Sequence, residues 1–149
     1  MNDKMSTVFI SAGEPSGDLH AAELVLSLKK ASSDINYIGN GGDKMAKAGV
    51  KICNHINQMS VMGFTEVLKK LPSLFGILDS TVTSILSCKP DRLILVDYPG
   101  FNLRLVKKIK HLGIPITYFI LPQTWAWKEN RIYFMKKHIN EFISIFPFE

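Results

Sequence analysis

Short apolar runs rich in β-branched residues alternate along the chain with segments whose apolar positions recur at helical spacing. The runs that predict β-strands cover residues 7–11, 36–38, 50–53, 93–96, 116–120 and 142–146. Alternation of such runs with helical segments is typical of βαβ units, in which crossover helices join parallel strands. The pattern therefore predicts one parallel sheet with helices on both faces.

Helical segments fill the intervals between these runs. They are predicted over residues 18–30, 43–49, 64–86 and 101–113. Asp18 is a favourable N-cap for the first, and Pro72 is expected to kink or divide the third. Glycine-rich stretches at 13–17 and 39–42 predict tight turns. No linker or internal repeat interrupts the chain, so residues 1–149 are predicted to form a single doubly wound α/β domain.

Composition narrows the class of protein. The 149 residues are 46% hydrophobic and 21% charged, which excludes intrinsic disorder, collagen-like repeats and a disulfide scaffold. A net charge of +5 favours anionic partners without naming one. Cys53 and Cys88 lie in apolar stretches without CxxC spacing and are expected to be reduced, buried thiols of a cytosolic protein. Neither a signal peptide nor a membrane-spanning run of about 20 apolar residues is recognised.

Chemistry is expected where the strands end. In open parallel sheets, ligands bind outside the carboxyl ends of the strands. Residues 13–18, 97–102 and 122–127 each follow a predicted strand directly. We therefore expect these groups to converge at one edge of the sheet.

The first two of these groups each allow two interpretations. The 13–18 turn could present backbone N–H groups to a substrate, or it could be a plain tight turn. It is neither a GxGxxG nor a Walker A loop, and Glu14 and Asp18 would repel a bare phosphate. Asp97 could cap the helix that begins near Gly100, or it could serve as a catalytic base at the strand tip.

Two aromatic features also allow two interpretations. Trp125 and Trp127 are close in sequence to Lys128 and Arg131. Aromatic and basic residues in this arrangement could stack on a sugar or bind single-stranded nucleic acid. Alternatively, one indole packs in the core and the other lies at its rim. The four histidines show no metal-ligand spacing. An apolar stripe, with Lys69 and Lys70 near the opposite side, could face the core or meet lipid acyl chains. The stripe consists of Phe64, Val67, Leu68, Leu71, Phe75 and Leu78.

Five motifs occur together in a fixed order between Ser6 and the last residue. They are GEPSGD at 13–18, VMG at 61–63 with EVL at 66–68, VDYPGFN at 96–102, WAWK at 125–128 with Arg131, and PFE at 147–149. This series closely resembles lipid-A-disaccharide synthase. Each motif alone is weak, but five in order at compatible spacing are highly specific.

The resemblance implies the N-terminal, Rossmann-like half of a GT-B glycosyltransferase. The implied reaction is an inverting transfer of 2,3-diacylglucosamine from its UDP donor to 2,3-diacylglucosamine 1-phosphate, with release of UDP. No metal or cofactor is implied, and no nucleic acid. The implied location is the cytoplasmic face of the inner membrane, where the protein would be peripheral.

The resemblance also assigns residues. Asp97 matches the catalytic aspartate and would act as general base on the acceptor 6-hydroxyl. The implied substrate-binding residues are Gly13, Glu14, Ser16, Gly17, Asp18, Met62, Gly63, Asn102, Gln123 and Trp125. The implied acyl-chain or membrane patch is Phe64, Val67, Leu68, Leu71 and Phe75. This chain departs from the family's usual pattern at three places. Gly100 stands where a second acidic residue is usual, Gln123-Thr124 stand where Ser-Val is usual, and Lys128 stands where Arg is common.

The chain stops at Pro147-Phe148-Glu149, where the family's first domain hands over to the second. We expect the nucleotide-sugar domain to be absent, with a separate polypeptide as its possible source, and this chain to be inactive alone. One alternative is a non-catalytic lipid-binding remnant. A single-stranded nucleic-acid-binding domain is less favoured, because the lysines are scattered over several helices.

Overall fold

The computed structural model describes residues 5–59, 64–120 and 129–144, and gives only the backbone course for 64–72. Six parallel strands in this part of the chain form one sheet, in the order β3-β2-β1-β4-β5-β6. The strands are β1 Ser6–Ala12, β2 Ile35–Gly41, β3 Lys51–His55, β4 Arg92–Val96, β5 Ile116–Phe119 and β6 Glu141–Ile143. The predicted parallel sheet is confirmed.

Helices cover both faces of this sheet. They are α1 Pro15–Ala31, α2 Asp43–Ala48, α3 Ile56–Met59, α4 Phe64–Cys88, α5 Pro99–Ile109 and α6 Glu129–His138, and a 3₁₀ turn Lys110–Leu112 follows α5. Alternate strand residues face opposite sides, so two apolar cores form. One core packs Phe9, Leu93 and Tyr118 against α4, α5 and α6. The other packs Ile10 and Val96 against α1 and α2.

One predicted turn is wrong for an identifiable reason, and one of the two expectations for Pro72 is excluded. The stretch 39–42 was expected to be a turn, but β2 continues to Gly41. A side chain at Gly39 would place its Cβ 1.8 Å from the Ile10 carbonyl oxygen, so the glycine serves close strand approach rather than a turn. Pro72 does not divide its segment, since α4 continues through it from Phe64 to Cys88, and the alternative that Pro72 kinks the helix stays a prediction.

Smaller differences concern the chain ends and the thiols. Strand β6 covers only Glu141–Ile143, and the predicted positions 145–146 lie outside the described residues. Cys53 and Cys88 are free thiols as predicted, but each is only partly buried. No helix among the described residues is long and apolar enough to cross a membrane.

Candidate functional site

The topology creates a crevice between β1 and β4. These two strands are neighbours, and the chain leaves them toward opposite faces, into α1 after β1 and into α5 after β4. Such a switch point is where ligands bind in open α/β sheets. The register pairs Ala12 with Val96, so both strands end at the same level. Glu14 and Asp97 follow these ends and lie at the crevice.

The two carboxylates interact electrostatically. Partial burial raises the pKa of the Glu14 carboxyl above its ordinary value, and the nearby charge of Asp97 raises it further. Glu14 therefore holds its proton to higher pH than a solvated glutamate does. A pair of interacting carboxyl groups at a switch point is a common basis for proton transfer.

The backbone that carries Asp97 adopts an unusual conformation. Asp97 and Tyr98 have φ values of 45° and 47°, in the left-handed region that non-glycine residues rarely occupy. The Asp97 carbonyl oxygen accepts hydrogen bonds from the Tyr118 hydroxyl at 2.6 Å and from Asn102 Nδ2 at 2.8 Å. Strain of this kind persists where surrounding contacts enforce it, and it concentrates at functional sites.

The Asn102 side chain connects the ends of β1 and β4. It is fully buried, and Nδ2 also lies 3.3 Å from the Ser11 carbonyl oxygen on β1. Its Oδ1 and the Ser11 hydroxyl are buried without a hydrogen-bond partner among the described residues. The structure thus gives Asn102 a positioning task, and direct substrate contact by this residue stays a prediction.

Gly13 and Tyr98 fit together beside the carboxylates. A Cβ at Gly13 would lie 2.2 Å from the Tyr98 ring, so only glycine lets the ring cover this turn. The Tyr98 hydroxyl donates to the Met59 carbonyl oxygen at 2.7 Å, which anchors the ring to the end of α3. Burial and the Glu14 charge raise the pKa of Tyr98.

Neither Asp18 nor Asp97 occupies the N-cap position that the sequence suggested for it. Helix α1 begins at Pro15 with Glu14 at the N-cap position, so Asp18 does not cap its own helix. Asp18 is buried and accepts backbone hydrogen bonds from Gly42, Lys44 and Met45 at the start of α2. The N-cap of α5 is Tyr98, so Asp97 does not occupy the cap position either.

The remaining predicted site residues fall into four groups. Ser16 is exposed in the first turn of α1, and Gly17 is buried beneath it against Ala12 and Val96. Phe75 is 50% exposed, while Leu78, on the same predicted stripe, is only 3% exposed. Four of the predicted residues lie outside the described residues: Met62, Gly63, Gln123 and Trp125. Four more lie in α4 where the structure describes only the backbone: Phe64, Val67, Leu68 and Leu71.

Sequence reasoning missed Tyr118. Its ring is buried in β5, and burial followed by the Asp97 charge raises the pKa of its hydroxyl well above the ordinary value. A tyrosine in an otherwise apolar buried strand must find a partner for its hydroxyl, and that signal was available. No group of three or more His, Cys, Asp or Glu residues in the described part of the chain could hold a metal. That the reaction needs no metal stays a prediction.

Comparison with known proteins places the chain in a family. A family model described as "Lipid-A-disaccharide synthetase" matches residues 8–149. The chain belongs to the lipid-A-disaccharide synthase family. It is 43% identical over 142 residues to the lipid-A-disaccharide synthase of Myxococcus xanthus, covering 95% of this chain and 37% of the relative. It is 46% identical over 145 residues to lipid-A-disaccharide synthase 1 of Legionella pneumophila (strain Philadelphia 1), covering 97% and 38%.

The chain therefore spans less than two fifths of the length of these family members. Among solved structures it is similar to a UDP-GlcNAc 2-epimerase from Neisseria meningitidis bound to UDP-GlcNAc, with a TM-score of 0.59. That match covers 94% of this chain and 40% of the epimerase at 12% sequence identity. It supports the Rossmann-like fold of a GT-B half and nothing finer.

Proposed function

We propose that this chain is the acceptor-side half of a lipid-A-disaccharide synthase, an inverting glycosyltransferase. The proposed reaction transfers 2,3-diacylglucosamine from its UDP donor to 2,3-diacylglucosamine 1-phosphate and releases UDP. The observation that carries the proposal is Asp97, which follows β4 at the switch point in a left-handed backbone conformation. Membership of the family supplies the chemistry.

In the proposed mechanism, Asp97 removes the proton from the acceptor 6-hydroxyl as its oxygen attacks the anomeric carbon. UDP leaves from the opposite face of the donor sugar, which inverts the configuration. In its ionised form the Asp97 carboxylate accepts this proton as the new bond forms. Glu14, whose charge state is coupled to Asp97, would orient the same hydroxyl by hydrogen bonding. Gly13, Ser16 and Gly17 would line the sugar site.

The wall that binds UDP is proposed to come from sequence that the relatives have beyond the matched residues. Transfer needs donor and acceptor held together, because correct positioning supplies a large part of the rate. We therefore propose that residues 1–149 alone do not catalyse transfer. The partner half can be continuous with this chain or a separate polypeptide.

The proposed place of action is the cytoplasmic face of the inner membrane, with the protein bound peripherally. Phe75 supports this proposal, because half of its surface is exposed on α4. The positive net charge of +5 would favour an anionic lipid surface. The same observations support a second candidate, a lipid-binding module that performs no chemistry.

A chimera tests the proposed function. Residues 1–149 replace the matched part of the Myxococcus xanthus relative, and disaccharide formation is measured with both substrates. We expect transfer, and we expect Asp97→Asn to lower kcat by about 10²–10⁴ with little change in KM. Asp79→Asn, an exposed residue on α4, is the control. An active chimera in which Asp97→Asn has no effect would contradict the role of the base and favour the lipid-binding module.

A further inference from the structure

A cavity of about 340 Å³ opens between α5 and α6, next to the crevice. The described residues that line it are Pro99, Gly100, Leu103, Arg104, Lys107, Asn130, Arg131 and Phe134. Building on the proposed function, we propose that this cavity binds the phosphate monoester of the acceptor sugar. It would thereby distinguish the acceptor from the donor, which carries the same diacylated sugar.

The charge of the cavity comes from two helices. Gly100, Arg104 and Lys107 are spaced by four and three residues and so share one face of α5. Arg131 is added from the first turn of α6. Among the residues that the structure describes, three cationic side chains and no carboxylate line the cavity. An arrangement of this kind favours an anion of high charge density.

The start of α5 adds to this preference. In the described part of the chain, the Tyr98 side chain does not cap this helix, and its first turn contains no acidic residue, so the positive end of the helix dipole lies beside the cavity. A Cβ built at Gly100 meets nothing within 4 Å, so the backbone of this turn is open to the cavity. A helix start and three cations thus face the same space.

Two of the cations, Arg104 and Lys107, lie against aromatic rings. The Arg104 guanidinium lies 5.7 Å from the centre of the Phe75 ring, and Lys107 Nζ lies 5.7 Å from that of Phe134. Among the described residues, neither cation forms an ion pair with a carboxylate. Lys108, by contrast, points away from the cavity and pairs with Asp79 at 3.2 Å.

Position and charge both select a sugar phosphate. Gly100 lies three residues after Asp97 in the sequence, in the first turn of α5. The acceptor carries its reacting hydroxyl on carbon 6, which is attached to ring carbon 5, and its phosphate on carbon 1. Carbons 1 and 5 flank the ring oxygen, and Asp97 and the cavity would each hold one of the two groups. A monoester carries close to two negative charges at neutral pH, whereas a phospholipid diester carries one.

The test titrates the chain with glucosamine 1-phosphate and, separately, with glucosamine, and follows backbone amide shifts by NMR. We expect only the phosphorylated sugar to shift the amides of Gly100 and Arg131. Arg104→Gln and Lys107→Gln should each weaken binding about fivefold, while Lys108→Gln should leave it unchanged. Binding should also weaken below about pH 6, because the phosphate becomes a monoanion.

Three results would overturn the proposal. Equal binding of unphosphorylated glucosamine would remove the role of the phosphate. An equal loss of affinity in Lys107→Gln and Lys108→Gln would mean that binding depends on the net charge of the chain and not on this cavity. Displacement of glucosamine 1-phosphate by phosphatidylglycerol vesicles at equal lipid phosphate, but not by phosphatidylcholine vesicles, would make a lipid headgroup the occupant.

The chimera separates this proposal from the proposed function. There, Arg104→Gln and Lys107→Gln should raise the acceptor KM without changing kcat, whereas Asp97→Asn should lower kcat. An active, Asp97-dependent chimera with an unchanged acceptor KM in both variants would overturn the cavity assignment alone. An inactive chimera would count against the proposed function and leave the titration to decide the cavity.

Discussion

The carboxyl groups of Glu14 and Asp97 are brought together by two strands far apart in sequence. Their interaction is the electrostatic feature that most clearly marks the switch point as a site. Burial is the larger cause of the raised pKa of Glu14, and the Asp97 charge is the smaller. That order makes the effect of removing one charge predictable.

At the residue scale, we predict that Asp97→Asn lowers the pKa of the Glu14 carboxyl but leaves it above its ordinary value. The substitution removes the repulsion, while the burial that also raises the pKa remains. Carbon-detected NMR titration of the side-chain carboxyl measures this shift. Asp79→Asn serves as the control, because it removes a carboxylate that pairs with Lys108 instead. An unchanged pKa of Glu14 in Asp97→Asn would show that the two carboxyl groups do not interact in solution.

The same shift has a consequence for stability. A carboxyl whose folded pKa is raised binds its proton more tightly in the folded than in the unfolded chain. The contribution of Glu14 to stability is therefore lost as pH rises through the interval between the two pKa values. Its ionised form opposes folding above that interval, which is the direction expected of a functional rather than a structural carboxylate.

At the element scale, Asp18 joins α1 to α2. Asp18 Oδ1 lies 2.8 Å from the Gly42 amide nitrogen and 3.0 Å from that of Met45, and Oδ2 lies 3.2 Å from that of Lys44. A carboxylate there satisfies amides at the start of α2 that have no partner within that helix. Asp18 therefore acts as a cap across a separation of more than 20 residues.

We predict that Asp18→Ala lowers the free energy of unfolding by about 2 kcal/mol, because it leaves these buried amides without an acceptor. Asp18→Asn should cost less, since its remaining oxygen can still accept the bonds of Gly42 and Met45. Urea denaturation measures both values. Asp34→Ala, an exposed aspartate after α1, is the control. A loss in Asp18→Ala no larger than in Asp34→Ala would show that the cap contributes nothing.

The elements themselves were largely predictable, because apolar period and turn residues are local signals. The six strands, α2 with its Gly49 stop and the amphipathic α5 follow from them. The contacts between elements were not predictable in this way. Asn40 and Asn54 form a buried hydrogen-bonded cluster with Thr81 of α4, and no local pattern pairs these residues.

The same distinction between local signals and contacts applies to the residues of the candidate site. Asp97 was predicted because it directly follows a predicted strand, and Glu14 because it lies in the turn after another, while their roles were implied by the resemblance. Tyr118, and the cavity formed by Arg104 and Lys107, were missed because they depend on how β5, α5 and α6 pack together. Asp18 was given the wrong partner for the same reason.

At the scale of the whole molecule, the two faces of the sheet differ in what they expose. Phe75 on α4 is 50% exposed, and Leu26 on α1, on the other side of the sheet, is 51% exposed. Their similar exposure makes them a matched pair for the proposed membrane attachment. On the α4 side, the exposed Phe75 ring lies beside the cation of Arg104, and the described residues show no such pair on the α1 side.

We predict that Phe75→Ser weakens binding to phosphatidylglycerol vesicles about fivefold, because one half-exposed ring no longer enters the lipid surface. Leu26→Ser should leave vesicle binding unchanged. Co-sedimentation of the chain with vesicles at several salt concentrations measures both, and binding should fall as salt screens the anionic lipid. Equal losses in the two variants would mean that no particular face meets the membrane. A loss confined to Leu26→Ser would turn the molecule over, with α1 toward the lipid and the α5–α6 cavity facing away from it.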